Sequence, residues 1–123
     1  MQASATGKAV ITPGFNLKAK HVIHAVGPRW WDGTRGEPAL LEGCYHSIFT
    51  VMRECGLKTI SLPAISTGIH RYPLAPAARI ALKVAKEYDS TERMITFVYF
   101  NEELKCVYKD ALTEVSVSRV YPL

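Results

Sequence analysis

Cysteine is scarce in this chain. Cys44, Cys55 and Cys106 lie far apart and form no CxxC pair. Their odd number and wide spacing argue against both a disulfide framework and a zinc site. Histidine is equally thin. His21 and His24 fall three apart on one predicted strand and so point to opposite faces, while His46 lies in a predicted helix and His70 in a loop. No metal ion and no cofactor are expected from such a set. Long apolar runs are missing too: none approaches the roughly 20 residues of a membrane span. The opening Gln2 to Gly7 is polar and has neither the basic start nor the apolar core of a signal peptide, so the expected compartment is the cytoplasm. Charge runs are absent. The net charge of +4 and pI of about 9.1 arise from scattered Lys and Arg without interleaved aromatics, which gives no support to a nucleic-acid surface. Asp32, Glu37 and Glu42 lack an identifiable partner for acid–base work, so no catalytic residue is assigned.

What remains is an ordinary core-forming composition. The chain has 123 residues, 48% hydrophobic and 21% charged, with no repeat or linker, which suits one domain spanning residues 1–123. Ala9 to Thr12 reads as a strand stopped by Pro13-Gly14, and Lys20 to Val26 as a second stopped by Gly27-Pro28. Leu41, Tyr45, Ile48, Phe49 and Met52 recur at helical spacing between Pro38 and Glu54, with Gly56 to close the helix. Thr59 to Ile65 is a third strand, Leu74 to Tyr88 a second helix and Met94 to Phe100 a fourth strand. Asn101 can cap a third helix from Glu102 to about Val115, and Val115 to Val120 is a last strand or a loose tail. Cys44 and Cys106 fall in helices, where a thiol packs as a small apolar group. Alternating strands and helices define an α/β fold with a mainly parallel sheet.

Open α/β sheets bind ligands beyond the carboxyl ends of their strands. Ser66-Thr67-Gly68-Ile69-His70-Arg71-Tyr72-Pro73 lies at such a place, between the third strand and the second helix. Small residues there let the backbone approach a ligand, consecutive amides can cradle a diphosphate, and the Ser66 and Thr67 hydroxyls add donors. The Gly-Lys-Ser/Thr ending of a Walker loop is missing. Trp30-Trp31-Asp32-Gly33 is the other unusual loop, and its aromatics are expected to pack over a sheet edge or to meet a partner.

The run Leu62 to Leu74 resembles the second ligand loop of macrodomains almost residue for residue. Thr6 to Leu17 and His21 to Pro28 are similar to the same family, in the same order. The resemblance implies a macrodomain-like mixed, mostly parallel sheet flanked by helices, and binding of ADP-ribose or an ADP-ribosylated protein. By position, Ser66, Thr67, Gly68, Ile69 and His70 would wrap the diphosphate and distal ribose. Tyr72 would close the ribose pocket or pack at the helix start. Phe100 would lie on adenine or sit in the core, and Asn101 would cap the helix or touch the nucleoside. Val26, Gly27 and Pro28 would floor the cleft.

The resemblance also implies that the family's N-terminal strands, with their Asn-Ala-Ala-Asn and glycine-rich segments, have no counterpart here. One of those strands is central, between the strands matching His21 to Val26 and Thr59 to Ile65. Its loss leaves two unpaired edges, and three repairs are open: direct pairing of those strands, insertion of Val115 to Val120, or a homodimer or complementing N-terminal chain. The competing functional expectations are a binding module, an ADP-ribosyl or O-acetyl-ADP-ribose hydrolase completed by another chain, and a remnant that binds nothing.

Overall fold

The first strand, β1 (Ala9–Pro13), turns at Gly14 and pairs antiparallel with β2 (His21–Ala25), Val10 opposite His24 and Thr12 opposite Val22. Only glycine fits that turn, because a β-carbon on Gly14 would run into the Ala19 carbonyl. The structure is a computed structural model and describes residues 6–68, 70–115 and 120–122.

Helix α1 (Glu37–Glu54) carries the predicted face: Leu41, Tyr45, Ile48, Phe49 and Met52 are all buried, and Cys44 joins them. The helix ends where Gly56 adopts φ of 66°, a left-handed conformation that costs glycine little. The chain then enters β3 (Thr59–Leu62), crosses through α2 (Leu74–Tyr88) to β4 (Met94–Phe97), and passes through α3 (Glu102–Val115) to β5 (Val120–Pro122). These three strands are parallel in the order β3-β4-β5, as strand–helix–strand crossovers require. Helix α2 contacts both α1 and α3. Its buried Ala77, Ala78, Ala81 and Ala85 keep that face low, which lets the helices approach. Phe97, at the end of β4, is fully buried among Tyr45 and Tyr108, with ring centroids 6.4 and 5.2 Å away. Asn101 caps α3, its side-chain oxygen accepting the Leu104 amide at 2.8 Å.

Several expectations need correction. The second, third and fourth strands are shorter than the apolar runs that announce them. Pro63, with no N–H to donate, directly follows β3. The described strands form two sheets rather than one: the β1-β2 hairpin and the three-stranded sheet. Strands β2 and β3 do not pair, so direct closure is not the repair. Nor does the tail fill the gap, since β5 lies beside β4 on the side away from β3. Residues 116–119, the centre of that predicted tail strand, lie outside the described residues. Cys44 is buried as expected, but Cys106 is exposed. Helix α3 turns Leu104, Tyr108 and Ala111 inward at helical spacing, and position 106 falls off that face. Among the described residues no helix is long and apolar enough to cross a membrane.

Candidate functional site

The loop after β3 is shaped from below and from within. Tyr45, fully buried on α1, accepts the Ile65 amide on its phenol oxygen at 3.2 Å. Burial pushes that phenol well above its ordinary pKa, so it stays neutral. Ser66 takes φ of 68° and Arg71 φ of 60°, two left-handed turns that fold the segment back on itself. The Tyr72 amide donates to the Ser66 carbonyl at 2.8 Å and the Arg71 amide to the Gly68 carbonyl at 3.0 Å.

Four other amides of the loop, those of Ser66, Thr67, Gly68 and His70, meet no acceptor among the described residues. Ile69 between them lies outside the described residues. Helix α2 starts just beyond, with Pro73 at its N-cap and no side chain capping it. Free amides beside an uncapped helix N-terminus are positively polarised and suited to an anion's oxygens.

The hydroxyls do not share this role. Thr67 donates its hydroxyl to the Ala64 carbonyl at 2.9 Å. The Ser66 hydroxyl is buried, finds no partner among the described residues and faces Gly27, where a β-carbon would collide with both it and the Ile65 side chain. Gly27 thus joins the end of β2 to the loop by close backbone contact. Gly27→Ala should cost about 1–3 kcal/mol of stability through this overpacking, measurable by urea titration. Pro28 is buried beside it, and Val26 is exposed, with its carbonyl accepting the Gly7 amide at 2.9 Å.

Tyr72 is 2% exposed, its phenol oxygen has no partner among the described residues, and its ring lies 4.8 Å from that of Trp30. The Trp30 amide in turn donates to the His70 carbonyl at 2.8 Å. The tryptophan loop is therefore strapped to the loop after β3, not laid over the hairpin–sheet gap. Trp31 stays exposed, its ring flanked by the Arg29 and Arg35 guanidinium groups at 4.6 and 4.8 Å.

Glu37 holds the strap. One of its carboxylate oxygens accepts the amides of Trp31, Asp32 and Gly33 at 3.0, 3.1 and 2.9 Å, and the other accepts Arg35 at 2.7 Å. Burial alone would raise its pKa. The hydrogen bonds from Gly33, Trp31 and Arg35 outweigh burial and hold it at about 2.

Phe100 is 70% exposed and Asn101 follows it, at the carboxyl edge of the three-stranded sheet. Because Leu62 is in register with Phe97, both segments leave the same edge as the loop. Exposure rules out the core role for Phe100, and the 2.8 Å cap bond settles capping for Asn101. His46 is a packing residue, bonded to the Tyr88 hydroxyl at 3.0 Å, and His24 meets the Thr12 hydroxyl at 2.9 Å.

Sequence reasoning missed Glu37 and Tyr45. The first is signalled by its place between Gly36 and Pro38 at a helix start, where an acid complements exposed amides. The second reads as an apolar helix position, and nothing in the pattern reveals where its hydroxyl goes.

A parallel three-stranded sheet, an antiparallel hairpin and three helices define an α/β module. The Macro domain family profile matches residues 1–81, and the chain belongs to that family. It is 45% identical over 111 residues to the O-acetyl-ADP-ribose deacetylase of Enterobacter cloacae, covering 88% of this chain and 62% of that protein. A Macro domain-containing protein of Caldanaerobacter subterraneus is also 45% identical, with 89% and 64% covered. The chain thus spans less than two-thirds of these curated relatives. Among solved structures, a point mutant of the Oceanobacillus iheyensis macrodomain with ADPR superposes with a TM-score of 0.85 at 32% identity, covering 94% of this chain and 63% of that one. The Trypanosoma brucei macrodomain in complex with ADP-ribose gives 0.78 at 33% identity, with 88% and 46% covered.

Proposed function

We propose that this chain binds ADP-ribose, free or attached to a protein, at the carboxyl edge of its three-stranded sheet. The observation that carries the reading is the row of amides at Ser66, Thr67, Gly68 and His70, which meet no acceptor among the described residues. In this reading they hold the diphosphate, with Ile69 in the same run. Val26, Gly27 and Pro28 form the floor, and Tyr72 supports the ribose side from beneath. The exposed Phe100 ring offers a face to adenine, with Asn101 fixing its position by capping α3. Relatives whose solved structures carry ADPR or ADP-ribose support the ligand. The open edges of the two sheets favour a homodimer or a complementing chain as a further partner.

Isothermal calorimetry with ADP-ribose is the test: saturable heat at one site is expected, and its absence defeats the reading. Phe100→Ala should weaken affinity by about tenfold or more, as expected for a lost base–aromatic stack. It should leave the melting temperature nearly unchanged, because the ring is exposed.

A second reading is hydrolysis of O-acetyl-ADP-ribose or of an ADP-ribosyl bond. The 45%-identical relative named O-acetyl-ADP-ribose deacetylase favours it. Release of acetate from O-acetyl-ADP-ribose by the purified chain distinguishes an enzyme from a binding module.

A further inference from the structure

The tryptophan loop presents a surface that the diphosphate site does not use. Trp31 is 54% exposed, and the Arg29 and Arg35 guanidinium groups lie over its ring, 4.6 and 4.8 Å from the centroid. Both arginines are themselves exposed. Neither guanidinium has a hydrogen-bond or ion-pair partner among the described residues. The acids of the loop are turned to other work. Asp32 accepts the Thr34 amide and hydroxyl at 2.9 and 2.7 Å on one oxygen. Glu37 is 1% exposed and directs both oxygens to backbone amides, which also holds the loop in place. A guanidinium that rests its face on an indole keeps its N–H edges outward, in the plane where two parallel bonds grip a carboxylate. Stacking also fixes a long side chain, so less rotamer freedom is lost when an anion arrives.

The place of the patch says which anion. The Trp30 ring packs on Tyr72 and its amide donates to the His70 carbonyl, so Trp31 follows directly on the ribose side of the proposed site. In an ADP-ribosylated protein the polypeptide is joined through that ribose and leaves the site there. Free ADP-ribose has its charge in the diphosphate and offers these arginines nothing more. Side chains that flank a modified residue do. A nucleic acid is the poorer match, because a base needs an open aromatic face and the guanidinium groups already lie over this ring. Resting on the ADP-ribose reading of the neighbouring loop, we propose that Arg29, Trp31 and Arg35 dock acidic side chains flanking the modified residue. The protein then prefers ADP-ribosylated polypeptides of acidic sequence.

The test compares two peptides that carry one ADP-ribose through a hydrolysis-resistant linkage, flanked by glutamates in one and glutamines in the other. Calorimetry should show the glutamate peptide binding about five- to tenfold tighter, as two exposed but well-formed charge pairs allow. Added salt should narrow the gap. Arg29→Gln combined with Arg35→Gln should abolish the preference and keep the affinity for free ADP-ribose within about twofold of the parent. The unmodified glutamate peptide at high concentration should shift the Trp31 indole N–H and both arginine Nε–H signals in heteronuclear NMR spectra, and the glutamine peptide should not. Equal affinity for the two modified peptides overturns the proposal and leaves the ADP-ribose reading intact. So does a preference that survives in the double variant, which places the contact elsewhere. An oligonucleotide that moves the same signals more than the glutamate peptide overturns it in favour of a nucleic acid. Loss of free ADP-ribose binding with the glutamate-dependent shifts still present removes the ligand reading alone and upholds the patch as a site for acidic side chains.

Discussion

Replacing Gly68 with glutamate should weaken ADP-ribose binding by about two orders of magnitude or more, on the order of 3 kcal/mol. Stability should stay within about 0.5 kcal/mol of the parent, as for other open surface positions. The two halves of this expectation have separate causes. A β-carbon at Gly68 meets nothing within 4 Å, and its φ lies outside the left-handed region, so the fold accepts a side chain. The added carboxylate stands among the amides of Thr67 and His70, where it repels a diphosphate and competes for the same donors. Gly68→Ala is the matched control, since it adds bulk without charge and should cost far less affinity. Calorimetry beside a thermal melt reads both halves. Undiminished binding by the glutamate variant would show that the ligand's charge lies elsewhere.

The second large effect is expected at Glu37. Among the described residues its carboxylate is the sole acceptor for four amides of the tryptophan loop, and Glu37→Ala removes all four bonds. The melting temperature should fall more than for any other single change in that loop, and the near-ultraviolet dichroism of the Trp30–Tyr72 pair should fade. Acid should imitate the mutation. The folded-state pKa of about 2 lies below the ordinary 4.5, so unfolding takes up a proton in that window. The contribution of Glu37 is therefore complete above about pH 4.5 and is lost as the pH falls toward about 2. Melts recorded across this range should show a steeper loss for the parent chain than for Glu37→Gln. Parallel slopes would remove Glu37 as the cause.

Much of the fold was legible because local signals and tertiary demands agree. The spacing Leu41, Tyr45, Ile48, Phe49, Met52 can only be buried on one face of a helix, and that is where α1 packs. Helix α2 runs from Leu74 to Tyr88, as its pattern predicts, because Pro73 and Asp89 bound the run on either side. Strand ends were less legible. The apolar runs continue past Leu62 and Phe97, but strand length is set by the partner, and β3 and β4 pair over four residues only.

The site was legible in outline. Small residues after a strand announce a loop that a ligand can approach. Whether a hydroxyl or an amide faces the ligand depends on turns such as the left-handed Ser66, which composition does not encode. The strap was least visible of all, since it joins Trp30 to the distant His70 through backbone atoms alone. Exposure of Phe100 and burial of Tyr72 likewise separate two aromatics that look equivalent in the sequence.

Gly27 ties the hairpin to the loop without a side chain of its own. It follows β2 and lies so close to Ile65 and Ser66 that any β-carbon there would overlap both. The position of the loop is therefore set by the hairpin as well as by the sheet it leaves, and a change that shifts the end of β2 is carried to the loop through rigid backbone.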